Sequence, residues 1–135
     1  ITPASGYVGP VGALCIGLAA GIVCYYATQF IKRTLKIDDS LDVFPVHGVG
    51  GMLGTLLAGV FAASNLGGVG YADGVSMGQQ VGVQAIGVAA TIAWCAIATF
   101  VLLKIVGMMV KLRVDDDSET LGLDLSEHDE RGYIL

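Results

Sequence analysis

The sequence predicts an all-helical integral membrane protein, and three observations lead there. Apolar residues make up 54% of the 135-residue chain against 14% charged, and the mean hydropathy of +0.72 is well above that of soluble domains, so water is not its main solvent. The apolar residues fall into three blocks, 11–30, 43–63 and 81–110, each at or beyond the ~20 residues with which a helix crosses a hydrocarbon core. Basic residues mark alternate ends of those blocks, the pattern of a multi-pass chain.

Taken in order, the opening Ile1 to Pro10 holds two prolines and two glycines and reads as the end of a preceding span and a connecting turn. It shows neither an initiator Met nor a basic stretch ahead of an apolar one, so the expectation is a piece of a longer protein whose missing part lies upstream. The first span, 11–30, is followed by a connection with Lys32, Arg33 and Lys36. The second, 43–63, is followed by a connection whose only charge is Asp73, and the third, 81–110, ends among Lys104, Lys111 and Arg113. Basic ends face the cytoplasm. The spans are therefore expected to run inward, outward and inward, in a plasma (cell inner) membrane, leaving residues 111–135 as a cytoplasmic tail. The third block, ~45 Å long if wholly helical, leaves room for tilt or for a cytoplasmic projection.

The formal net charge of -5 belongs to that tail. Residues 1–110 carry four basic groups (Lys32, Arg33, Lys36, Lys104) and four acidic ones (Asp38, Asp39, Asp42, Asp73), whereas the tail sets eight acids against Lys111, Arg113 and Arg131. Nucleic-acid binding needs a basic patch and anionic lipid attracts basic segments, so the expected partners of the tail are proteins. The three cysteines, Cys15, Cys24 and Cys95, lie in the apolar blocks without a CxxC spacing and read as small packing residues. No disulfide framework, metal site or cofactor is called for. Small residues recur every four positions: Ala13, Gly17 and Gly21, then Gly50, Gly54 and Ala58, then Gly78 and Gly82 followed by Ala85, Ala89 and Ala93. Such stripes let helix backbones approach closely in lipid.

The segment Asp38-Asp39-Ser40-Leu41-Asp42-Val43-Phe44-Pro45-Val46-His47-Gly48-Val49-Gly50-Gly51 rises above packing. Apart from Lys104, which is close enough to an end to snorkel, His47 is the only ionisable residue inside a block. Counted from Asp39 it stands about 12 Å along a helix, near the middle of a ~30 Å core. On helical spacing it shares a face with Gly50, Gly51, Gly54 and Ala58, which suits either a closely fitted neighbouring helix or a narrow channel past the ring. Intramembrane ionisable groups usually mark ion or proton paths; the plainer alternative is a buried ring bonded to a neighbour. Asp38, Asp39 and Asp42 read either as a solvated helix start or as carboxylates drawing a cation to the mouth.

These residues carry a family resemblance. The run Asp38 to Gly51, the opening Thr2-Pro3-Ala4-Ser5-Gly6-Tyr7-Val8, the stretch Leu66-Gly67-Gly68-Val69-Gly70-Tyr71, and Leu121-Gly122-Leu123-Asp124 with His128 and Tyr133 resemble, in the same order, the last third of an ammonium transporter of the Amt/Mep/Rh family. The resemblance implies an eleven-span bundle of two inverted halves, here its C-terminal portion, acting with the N-terminal half of the same transporter in a homotrimer. It implies that His47 is the second of two pore histidines, with Val43 and Phe44 one turn nearer the cytoplasm and Asp38, Asp39 and Asp42 at the inner vestibule. Pro45 stands where other members often have Gly, a change tolerated near a helix start.

For the tail the resemblance implies a regulatory element formed by Gly122, Asp124, Ser126, His128 and Tyr133, packed under the cytoplasmic face, coupling the protomers and open to a PII-type regulatory protein. Asp129 and Gly132 depart from the small residues the family places there. The tail's charge alone favours disorder, whereas Leu121, Leu123, Leu125, Tyr133 and Ile134 offer apolar anchors. The function implied is passage of ammonium or ammonia through a histidine-lined apolar pore. An ammonium sensor on the same scaffold, with an effector domain beyond the tail, is the alternative. Catalysis is least favoured, since His47 and His128 lie far apart with no nucleophile or metal set around either.

Overall fold

Peptide groups in hydrocarbon have no water to bond, so an apolar chain of this length closes its hydrogen bonds within helices. The structure, a computed structural model, describes residues 1–132, and among them every regular element is helical. A 3-10 turn, Thr2–Ala4, precedes helix α1, Pro10–Gln29. Pro10 takes the first helical position, where its missing N–H forfeits no bond. The helix widens into a π-helical stretch, Phe30–Leu35, and stops at Lys36, which adopts a left-handed φ of 52°. The second span opens with another π-helical stretch, Phe44–Val49, and continues as α2, Gly50–Phe61. A 3-10 turn, Ser64–Leu66, and a loop lead to α3, Met77–Met109, and then to the short α4, Asp116–Leu121, and α5, Leu123–Ser126.

Three spans, Pro10–Leu35, Phe44–Phe61 and Met77–Met109, are long and apolar enough to cross a membrane. Their ends differ from the hydropathy blocks for local reasons. The first runs on so that Lys32 and Arg33 sit in its last turns and not in a connection, where cationic side chains favour the carbonyl end of the helix. The third starts early because Ser76 and Gln79 form a reciprocal cap: the Gln79 side chain accepts from the Ser76 N–H at 2.8 Å, and the Ser76 hydroxyl accepts from the Gln79 N–H at 3.3 Å. Within the spans the Thr55 and Thr91 hydroxyls donate to the carbonyls of Gly51 and Gly87, one turn back, so neither is left unpaired in an apolar surrounding.

The chain forms two compact units, Ile1–Ile92 and the remainder from Ala93. In the first, α2 packs on α1 and on the opening turn around Ala4, Ile16 and Ala58, with Val8, Leu57 and Phe61 against them. The small residues Gly50, Gly54 and Ala58 are buried in this contact. A β-carbon on Gly54 would stand 2.7 Å from the Ile1 Cα, so that approach tolerates no side chain. The other two stripes are different. On α1 the buried positions are Gly12 and Ile16, while Ala13, Gly17 and Gly21 are exposed, and α3 has no buried residue. At the far end of α2 the Tyr71 hydroxyl donates to the carbonyls of Gly59 and Val60 at 2.7 and 3.0 Å. These are end-of-helix acceptors that the helix itself leaves open.

In the second unit the described tail residues form two short helices, α4 and α5, with turns and irregular chain on either side. The Asp115 carboxylate accepts from the Ser118 N–H at 2.9 Å and caps α4. Arg113 grips Glu119 with two N–H groups at 2.8 and 3.2 Å.

Two outcomes follow from this packing. Gly54→Val in the complete protein forces backbone apart and should destabilise it by about 1–3 kcal/mol, read as a lowered unfolding midpoint in detergent; an unchanged midpoint would show that the opening turn does not pack there. The Ser118 amide, ahead of the Ser118 side chain, holds the Asp115 carboxyl below its ordinary 3.8. A lowered carboxyl stabilises the fold above the unfolded value and loses that contribution as pH falls through the folded one. Hydrogen-exchange protection of the Ser118 amide should therefore be complete at neutral pH and disappear only below pH 3.8.

Candidate functional site

The segment 38–51 is a tight reversal between the first two spans. The first span ends with the Lys36 and Ile37 N–H groups both bonded to the Ile31 carbonyl, a closure that sends the chain back on itself. The next helix starts with four N–H positions that no helical carbonyl can serve, and each is accounted for. Val43 and Phe44 donate to the two oxygens of Asp39 at 2.9 and 2.8 Å. Pro45 has no N–H, and the Asp42 N–H donates to the Asp39 carbonyl at 3.2 Å, so that the Val46 N–H, 3.0 Å from the Asp42 carbonyl, makes the first bond of the helix itself. These bonds, Phe44's first and then Val43's, hold the Asp39 carboxyl below its ordinary range. Asp42 sits at a left-handed φ of 56°, which acidic residues tolerate better than most.

An ion pair spans the reversal. Lys32 Nζ stands 2.8 Å from Asp42 Oδ1, with the two side chains 39% and 32% exposed. That oxygen is shut off from water and receives no aligned hydrogen bond. The contact is thus counted as Coulombic, and Lys32 is the charge partner of an otherwise orphaned atom. Its half-exposed setting keeps its energetic worth small, within about 1 kcal/mol.

His47 lies in the π-helical stretch Phe44–Val49. A π-turn has more residues than an α-turn, so the face expected from α-helical spacing is rotated at this point. Pro45 turns inward and is buried, whereas Val43 and Phe44 are 52% and 57% exposed and His47 is exposed as well. The Phe44 ring lies along Gly48, where an added β-carbon would meet it at 2.9 Å. Behind the segment, a β-carbon added to Gly50 would stand 3.2 Å from the Cys24 sulfur. The histidine is therefore exposed along with the apolar Val43, Phe44 and Val46, while Pro45 is the residue of this stretch that is buried. Such an arrangement offers an imidazole, with one donor and one acceptor, on an apolar wall.

The other expected residues are placed as follows. Asp38 is exposed beside the reversal. In the second unit Gly122 joins α4 to α5 at a φ of 98°, a conformation that a side chain strains; no atom crowds it, so the backbone angle and not a close approach calls for glycine. The Ser126 hydroxyl is half-buried and donates to the carbonyls of Gly122 and Ser118 at 3.0 and 3.3 Å. Asp124 and His128 are exposed, and Tyr133 lies outside the described residues. Sequence reasoning missed two groups. Lys32 reads as an orientation marker, although a basic and an acidic cluster flanking a short connection is the signal for a bridge. Tyr71 reads only as part of a family stretch, although a hydroxyl just past a helix is a ready carbonyl cap.

Comparison with known proteins bears on this geometry. The model of the Ammonium Transporter Family matches residues 1–133. The chain is 46% identical to the ammonium transporter Amt1 of Archaeoglobus fulgidus, covering 98% of this chain and 34% of that protein. It is 43% identical to an ammonium transporter of Aquifex aeolicus and 39% identical to one of Bacillus subtilis, covering 31% and 33% of those proteins. The chain thus spans about a third of the length of the curated relatives it matches. With a family match over almost its whole length and three apolar spans in its fold, this chain belongs to the ammonium transporter family.

Proposed function

We propose that the chain forms one wall of an ammonium conduction path, with His47 as its polar element and Val43 and Phe44 as its apolar lining. The observation that carries this reading is the exposure of Val43, Phe44 and His47, with Val46 beside them, at the start of a span whose Pro45, Gly50, Gly54, Ala58 and Gly59 are buried. A charged ammonium ion in hydrocarbon bears a desolvation penalty on the order of tens of kcal/mol. An apolar bore therefore favours loss of the proton and movement of neutral ammonia, which still needs hydrogen-bonding partners. A neutral imidazole supplies both a donor and an acceptor where water is scarce, and its ordinary pKa of ~6.5 suits it to pass on a proton.

The remaining wall is supplied by the N-terminal half of the same transporter, in keeping with the third of the relatives' length that this chain covers. The exposed small-residue face of α1 and the exposed length of α3 suit contacts with that half, with lipid and with other protomers of a homotrimer. The positive-inside pattern supports a plasma-membrane orientation with the tail in the cytoplasm. There the tail, with Gly122, Asp124, Ser126, His128 and Tyr133, acts as a regulatory element accessible to a PII-type protein. A phosphate on Ser126 would add close to two negative charges and remove the hydroxyl that holds the Gly122 and Ser118 carbonyls.

Two measurements test this. His47→Ala in the complete transporter should lower ammonium flux in proteoliposomes at least ~10-fold or abolish its ion selectivity, with assembly intact; unchanged flux and selectivity would sink the pore assignment. Gly122→Asp forces an L-residue to a φ of 98° and should depress flux with the trimer preserved. Mixed with wild-type protomers, it should depress flux more than in proportion to its share, whereas strictly proportional loss would mean that the tail does not couple the pores.

A further inference from the structure

The connection between the first two spans does more than reverse the chain. Its acids have partners: Asp39 serves two backbone N–H groups and Asp42 faces Lys32. A carboxylate whose lone pairs are aimed at amides, or whose charge is balanced at 2.8 Å, presents a much weaker field to a passing cation than a free one. Both groups instead complement helix ends. Lys32 lies in the last turns of the first span, where a cation is favoured, and Asp39 and Asp42 stand at the start of the second, where anions are.

The segment they hold is one that needs holding. Phe44–Val49 is π-helical, a geometry rare enough to require support from its surroundings, and Pro45 removes one of its first donors. Asp42 itself is in a left-handed conformation, which costs about 1–2 kcal/mol for most residues. It is fixed there by its N–H on the Asp39 carbonyl at 3.2 Å, by its own carbonyl accepting from Val46, and by Lys32. Val43, Phe44 and His47 follow within one turn or two, so a relaxed start to the helix rotates all three.

We propose that Lys32, Asp39 and Asp42 are positioning residues, a clamp that joins the inner ends of the first two spans and sets the angular placement of Val43, Phe44 and His47. The clamp rests on the pore reading of His47 for its functional consequence, but its structural half stands apart. Asp39 and Asp42 act through the backbone and not by drawing ammonium to the mouth. Misplacement of a reacting or guiding group by about 1 Å is enough to lower a rate substantially.

The test uses the complete transporter in proteoliposomes, with variants that keep the wild-type size in detergent. Lys32→Met should lower maximal flux about three- to fivefold, the scale of one partly exposed ion pair, with the half-saturating ammonium concentration unchanged within about twofold. Lys32→Arg should restore the flux. Asp39→Ala should lower it more than Asp39→Asn, because an amide oxygen still accepts one of the two N–H groups. Amide exchange at Val43 and Phe44 should speed up in Lys32→Met and Asp39→Ala.

Cation recruitment makes the opposite forecast: Lys32→Met would remove a competing positive charge and lower the half-saturating concentration, and Asp39→Asn would equal Asp39→Ala. Either result overturns the clamp. Faster exchange with unchanged flux would overturn the positioning role while leaving the His47 reading intact. Unchanged flux in His47→Ala alone would overturn that reading, with the exchange data still deciding whether the clamp exists.

Discussion

The structure depends on how closely the α2 backbone can approach its neighbours. At Gly50 and Gly54 nothing stands between α2 and the Cys24 sulfur or the Ile1 backbone, and Ala58 continues the same buried line. Apolar side chains gain little by leaving lipid for a protein interior, so dispersion at short range and shape do the work that the hydrophobic effect does in water. Everything else in the first unit is arranged around that contact. The opening turn lies on α2, Ile16 of α1 fills the space beside Ala4 and Ala58, and the Tyr71 hydroxyl closes the far end.

With α2 fixed along one side, its other side is free to carry chemistry. The π-helical start matters here, since one additional residue per turn rotates His47 and the apolar Val43 and Phe44 relative to the glycine line. Pro45 points inward and is buried, and the three candidate residues point outward. A polar imidazole is thereby separated from the tight contact that anchors its helix. The tight contact and the exposed side chains thus occupy different parts of the helix surface.

The two units use the same capping logic. Asp39 and Asp115 each present a carboxylate to N–H groups at a helix start, and both are held below the ordinary carboxylate range by those bonds. For Asp115 the bond starts a helix of only six residues, which could not persist on propensity alone and which leans on the Arg113–Glu119 pair. For Asp39 the bonds start a span whose interior offers peptide groups no alternative partner.

The sequence by itself determined the three spans, their apolar character and the exceptional position of His47, because hydropathy and the scarcity of ionisable residues in lipid are local properties that need no neighbour to be read. It also carried the family motifs from Thr2 to Asp124. Only the tertiary structure decided which small-residue stripe is a contact here. Gly50, Gly54 and Ala58 are buried, while Ala13, Gly17 and Gly21 are not, because a stripe permits approach without saying which helix comes to it. The structure likewise turned Lys32 from a marker of orientation into the partner of Asp42, and it gave Gly122, named by the sequence only as part of a motif, an unusual backbone angle. Pairings across a chain reversal depend on where it turns and how its helices widen, and that geometry is set by the balance of many weak contacts at once.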